Sequence, residues 1–252
     1  MSIGDSIATR AVFRMINEDR KKQLEEYYEN TLIREYEQFH FRREFLYFMQ
    51  NVGDDLSTLD SDFLREYSGY NYKHINNALR GRWNYEENGH MDAQEGFVKK
   101  GENLSKIISE HPTTFGNFKT FRGVSIEYFQ EYGITQIEEL KNMEGKYLYD
   151  SGLVSTSLLE ETCFFNKEND LGMNYNVEII YLIPEEFQDG IYLNDGDTYS
   201  INQNEYLINR GNLAKISAVK INSDGTAQMI ATMIPKKIYD EYYDNLEKNK
   251  AK

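Results

Sequence analysis

Three short stretches carry side chains whose types could act together on a charged substrate. Lys119-Thr-Phe-Arg-Gly-Val124 contributes Arg122, and Leu153-Val-Ser-Thr-Ser-Leu158 contributes Ser155, Thr156 and Ser157. Tyr199-Ser-Ile-Asn-Gln-Asn-Glu-Tyr-Leu-Ile-Asn-Arg210 contributes Gln203 and Glu205. Side chains two apart on a strand share a face. Ser155 and Ser157 are therefore expected to project together, and so are Gln203 and Glu205, one amide beside one carboxylate. A fixed carboxylate stabilises positive charge that develops next to it. A guanidinium is a planar, multi-donor head that suits phosphate oxygens. A serine hydroxyl can hold a carboxylate in one rotamer. The four histidines (His40, His74, His90, His111) are scattered without paired metal spacing, and no metal site is read.

The elements that must position these groups follow a simple order. Residues from about 6 to 50 read as helix: no Pro or Gly falls between Asp5 and Gly53, and Phe13, Ile16, Leu24, Tyr28, Leu32, Tyr36 and Phe39 recur at helical steps. A short helix, capped by Asp60 or Ser61, is predicted to end at Gly69, and a second to end near Arg80-Gly81. Another spans Met91 to about Glu110. From Phe118 onward the pattern changes to short strands and turns: Phe118–Gly123, Lys146–Tyr149, Val154–Ser157, Asn176–Ile183, Gly190–Leu193, Glu205–Ile208, Leu213–Lys220 and Gln228–Met233. Short helices are expected over Ser125–Tyr132, closed by Gly133, and over Leu158–Phe165. Helices first and strands after them predict an α+β fold. The divisions expected are a helical section over 1–58, a catalytic domain over 59–235 and a charged helical tail over 236–252.

Composition narrows the function classes. The chain has 252 residues, 40% of them hydrophobic, and a net charge of −14. Phosphate contacts along a nucleic acid need clustered Lys and Arg, so that partner is not expected. No apolar run of about 18 residues occurs, so no membrane span is expected. The single cysteine, Cys163, precludes an intrachain disulfide and reads as a small buried residue. The first residues show no apolar stretch of signal-peptide length.

Taken together, an Arg, a Ser-Thr-Ser run and a Gln-x-Glu, each on or beside a predicted strand and in that order, resemble the signature of the mono-ADP-ribosyltransferase toxins. The likeness is to the branch of the clostridial Rho-modifying exoenzymes and the enzymatic components of binary toxins. A fourth element agrees: Tyr67, Gly69, Tyr72, Ile75, Asn76, Leu79 and Arg80 resemble the helix that precedes the catalytic strands in that branch. The resemblance covers about residues 60–234 and implies a mixed and antiparallel β-sandwich core with N-terminal helices.

That resemblance implies NAD as co-substrate and no metal. In NAD the leaving nicotinamide is already cationic, so no general acid is needed and the transition state resembles an oxocarbenium ion on the ribose. Glu205 is the candidate that stabilises it, with Ser155 holding Glu205 and with Thr156 and Ser157 in support. Arg122 and Arg80 are candidates for the two phosphates, with Asn76 on the pyrophosphate side and Gly123 beside Arg122. Phe165 is the candidate wall for the nicotinamide ring. In the family the residue two before the catalytic Glu positions the acceptor. Gln203 there argues against an arginine acceptor and for an amide, as in Rho-asparagine modification, with Tyr199 in the protein-recognition loop. A protein substrate such as a host small GTPase follows, and the N-terminal helices could engage a delivery component. A secreted or injected effector acting in a target-cell cytosol is the implied setting. The same residues would serve an NAD glycohydrolase, and a degenerate copy of the fold would serve only as a binding module for a translocation partner.

Overall fold

The computed structural model describes residues 58–84, 91–114, 116–160, 163, 175–193 and 204–238. The expected helix over 6–50, the residues Phe165, Tyr199 and Gln203, and the tail beyond 238 lie outside the described residues.

Helix α1 (Thr58–Glu66) does not stop at Gly69. It joins α2 (Tyr72–Leu79) through a kinked turn over Tyr67–Asn71, in which Gly69 leaves helical geometry with φ −81° and ψ −115°. Lacking a Cβ, Gly69 can absorb the kink. The chain thus bends there instead of breaking, and Tyr67 is driven into the interior, 1% exposed. Helix α3 (Met91–Glu110) packs against α1 and α2. Gly101 lies so close to the Leu79 side chain that a Cβ there would approach it to 2.8 Å.

Eight strands follow: β1 (Phe118–Val124), β2 (Tyr147–Asp150), β3 (Val154–Ser157), β4 (Val177–Ile183), β5 (Gly190–Tyr192), β6 (Glu205–Ile208), β7 (Asn212–Ile221) and β8 (Ala227–Ile234). Their order in space is β2-β7-β8-β4-β1-β3-β6-β5. All pairings are antiparallel except β4 with β8. β4 is buried along its whole length, which explains its apolar run from Ile179 to Ile183.

The ladder between β1 and β3 is a single pair, Phe121 opposite Ser157. It hinges a five-strand half to a three-strand half. One core cluster draws on both halves, including Phe118, Ile179 and Met229 from the first and Val154, Tyr206 and Ile208 from the second. The two halves therefore face each other across a shared interior, as in a sandwich. A second cluster sits outside the three-strand half, where Leu64, Tyr67, Ile75, Leu104 and Ile108 of the helices meet Leu153, Ile191, Leu193 and Leu207.

Two 3-10 helices bridge β1 and β2. The expected one, Ile126–Tyr132, ends at Gly133 with a left-handed φ of 76°. The other, Ile137–Met143, was not legible from apolar spacing; it is fixed by a capping box between Gln136 and Glu139 and by buried Leu140 and Met143. Lys236 begins a helical turn after Pro235 and forms an ion pair with Asp189, a buried carboxylate that also accepts from Asn209 and Asn212. Among the described residues, no helix is long and apolar enough to cross a membrane.

Candidate active site

Strand alternation sorts the side chains of β3 and β6 onto two faces. Val154, Tyr206 and Ile208 enter the core between the sheet halves, while Leu207 packs with the helices. Glu205 is two residues from Leu207 and shares its face. The register sets Glu205 opposite Ser157 and Leu207 opposite Ser155. The face beneath α1 and α2 therefore carries Ser155, Ser157 and Glu205 together.

This face floors a cleft of about 390 Å³ between the kinked α1–α2 segment and the β1–β3–β6 ladder. Tyr67, Tyr72, Lys73, Asn76 and Arg80 line it from the helices; Phe121, Arg122, Gly123, Ser155 and Glu205 line it from the strands. The volume lies in the range of ligand sites, and the walls combine aromatic surface with convergent polar groups.

Glu205 is 4% exposed. Burial pushes its carboxyl up to about 7, against a hydrogen bond from Ser155 and the nearby Arg122 charge, both of which favour the ionised form. It stands next to Asn204, whose φ of 46° is left-handed, a conformation asparagine tolerates. The strand consequently starts at Glu205. Gln203, expected to share a strand face with Glu205, lies outside the described residues.

The two candidate arginines differ. Arg122 sits at the cleft with its Cζ 5.5 Å from the centre of the Tyr128 ring, and its Nη1 donates to the Ser155 carbonyl at 3.4 Å. Arg80 is bound to Asp150 in a two-point pair: Nε donates to Oδ1 at 2.8 Å and Nη2 to Oδ2 at 2.9 Å. Arg80 Nη2 also reaches the Leu153 carbonyl at 3.3 Å. Burial works to raise the Asp150 carboxyl, but Arg80 first, then Arg122 and the Gly152 amide, hold it below its usual range. Gly152 permits this approach, because a Cβ there would stand 2.7 Å from Asn76 Oδ1 and 2.8 Å from Arg80 Nε.

The remaining expected residues take distinct places. Asn76 lines the cleft but spends its amide on the scaffold, donating to Tyr67 Oη at 3.0 Å and accepting from the Leu153 amide at 2.8 Å. Gly123 lines the cleft opposite Glu178 in the β1–β4 ladder. Thr156 is buried and donates to the Tyr206 carbonyl at 2.7 Å, tying β3 to β6. Ser157 Oγ accepts from the Leu159 amide at 3.1 Å and shapes the exit from β3. Two residues were missed by sequence reasoning: Tyr128 and Asp150. A buried arginine demands a counter-charge, but with 42 acidic residues in the chain nothing in the sequence singled out Asp150.

Comparison with known proteins bears on this site. The family model described as ADP-ribosyltransferase exoenzyme matches residues 43–237. Among solved structures, a C3-type protein from S. aureus with NAD has a TM-score of 0.60 at 16% identity, covering 78% of this chain and 98% of that one. An ADP-ribosyltransferase from Clostridium botulinum gives 0.58 at 20% identity, over 77% and 96%. The C3 exoenzyme of Clostridium limosum gives 0.57 at 20% identity, over 73% and 89%. At these identities the likeness is one of fold. No curated protein sequence matches the chain. The family match spans well over half of the chain and takes in the helix of Asn76 and Arg80, Arg122, the Ser-Thr-Ser strand and Glu205, so the chain belongs to the ADP-ribosyltransferase exoenzyme family.

Proposed function

We propose that this enzyme cleaves NAD and transfers ADP-ribose to a protein side chain other than arginine, with an asparagine of a Rho-type small GTPase as the acceptor. The observation that carries the reading is Glu205, a buried carboxylate held by Ser155 on the floor of a nucleotide-sized cleft beside Arg122. The cleft residues suit NAD chemically: Arg122 for phosphate oxygens, Tyr72 and Phe121 for flat rings, Glu205 for the ribose.

As the nicotinamide–ribose bond breaks, its electron pair goes to the ring nitrogen and neutralises the leaving group. Positive charge then builds on the ribose. In this reading the Glu205 carboxylate stabilises that charge, and burial strengthens the interaction. Ser155 keeps the carboxylate in one rotamer, which lowers the cost of orienting it during reaction. The acceptor nitrogen then bonds to the ribose and releases a proton, which Glu205 can take because its pKa lies near 7. Arg122 neutralises phosphate charge. Asn76 and Arg80 support the reading from behind, Asn76 by fixing Leu153 and Arg80 through Asp150. Gln203 supports an amide acceptor, and Phe165 and Tyr199 complete the reading as the nicotinamide wall and part of the recognition loop. Such an enzyme would act in a target-cell cytosol, with the N-terminal section contacting a delivery component.

The test is incubation with adenine-labelled NAD and a eukaryotic cell lysate, beside a Glu205→Ala control. One labelled band at the mass of small GTPases, absent in the control, is expected. Nicotinamide release without a labelled protein would point instead to water as the acceptor.

A further inference from the structure

We infer that Tyr128 is a positioning residue for Arg122, joining it to the buried Arg80–Asp150 pair so that both arginines are held by one acid. The inference rests on the reading of Arg122 as a phosphate-binding group. The Tyr128 ring lies under the Arg122 guanidinium, 5.5 Å from ring centre to Cζ. Its hydroxyl donates to Asp150 Oδ2 at 3.0 Å. Asp150 Oδ2 also receives Arg80 Nη2, while Oδ1 receives Arg80 Nε and the Gly152 amide.

Each part of this chain is fixed by something else. Tyr128 lies in the 3-10 helix Ile126–Tyr132, anchored by fully buried Phe129, whose ring meets that of Tyr128 edge-on at 5.2 Å. The helix end is bolted to β2, because Tyr132 Oη donates to the Tyr149 carbonyl and accepts from the Tyr149 amide, both at 2.9 Å. Burial, then the Asp150 charge, raise the Tyr128 hydroxyl well above the usual phenol range, so it stays a donor at any working pH.

A cation over an aromatic face is attracted to it, more so away from bulk water. Arg122 has a long, flexible stem, and without the ring it would sample rotamers away from the cleft. The ring narrows that choice before the substrate arrives. The hydroxyl–Asp150 bond fixes the ring in turn. Tyr128 does not line the cleft, so its effect on substrate passes through Arg122.

The experiment is a double-mutant cycle read as NAD affinity by calorimetry, with melting of the NAD-free proteins to check folding. Arg122→Ala is expected to weaken NAD binding at least tenfold. Tyr128→Leu should weaken it about 3- to 10-fold, and Tyr128→Phe, which keeps the ring but frees it from Asp150, about 2- to 3-fold. The combined Arg122→Ala/Tyr128→Leu variant should bind no more weakly than Arg122→Ala alone. If Tyr128→Leu does not fold, the cycle with Tyr128→Phe decides: its effect should vanish in the Arg122→Ala background. Losses that multiply in the double variant, or wild-type affinity in both Tyr128 variants beside a weak Arg122→Ala, would overturn the positioning role alone. Unchanged affinity in Arg122→Ala would overturn the phosphate-binding reading and this inference with it.

Discussion

The two faces of the β3–β6 ladder are built from alternate residues of the same eight positions and behave as opposites. On one face Val154, Tyr206 and Ile208 join the sandwich core, with Thr156 spending its hydroxyl on the Tyr206 carbonyl. On the other, Ser155, Ser157 and Glu205 lie beneath the helices, and only Leu207 is apolar. The core face contributes stability through burial. The cleft face holds a carboxylate in a site that penalises its charge. Substitutions on the first face should thus cost stability, and those on the second should cost chemistry and can add stability.

The largest expected effect is on the core face. Tyr206 is fully buried, packs edge-on against Phe118 at 5.0 Å between ring centres, and donates to the Thr113 carbonyl at 3.2 Å. Tyr206→Ala should destabilise the fold by about 3–5 kcal/mol in denaturant unfolding. A loss under about 1 kcal/mol would break the contrast between the faces.

Glu205→Gln should do the reverse at high pH. Its carboxyl rises from 4.5 to about 7 on folding, so between those values the folded protein keeps a proton that the unfolded chain has released. Stability from this group is intact below the lower value and falls as pH rises through the upper one. At pH 8 the glutamine variant should be more stable than wild type by up to about 3 kcal/mol, with the gain gone near pH 4. Melting curves across that pH range would check it.

Gly152→Ala should act between these extremes. The new Cβ would meet Asn76 Oδ1 at 2.7 Å and Arg80 Nε at 2.8 Å, and must displace the pair that Arg80 makes with Asp150. About 1–3 kcal/mol of destabilisation is expected from thermal unfolding. Smallest is Ser155→Ala. Its hydroxyl favours the ionised Glu205, so its loss should move the pH–rate profile to higher pH and lower kcat about tenfold, with stability within about 1 kcal/mol of wild type.

Much of the site's floor was legible in the sequence because strand alternation is a local rule. Val154–Ser157 and Glu205–Ile208 obey it, so grouping Ser155 with Ser157 needed no tertiary information. One residue away, Asn204 takes a left-handed backbone that strand alternation does not reveal. Gly69 was legible as a break but not as a kink that continues the helix, since only the packing of Tyr67 decides between them. The Arg80–Asp150 pair joins positions 70 apart, and Tyr128 reaches Asp150 across 22. Such pairings depend on how β2 and the 3-10 helix meet in space, which no local pattern encodes.

The most direct test of the cleft-face account is Glu205→Gln, measured for both NAD affinity and nicotinamide release at pH 8. The account requires NAD affinity within about threefold of wild type and release slowed by at least about 10²-fold, because the carboxylate acts on charge that appears only as the bond breaks. Release at the wild-type rate would contradict it and remove Glu205 from the chemistry.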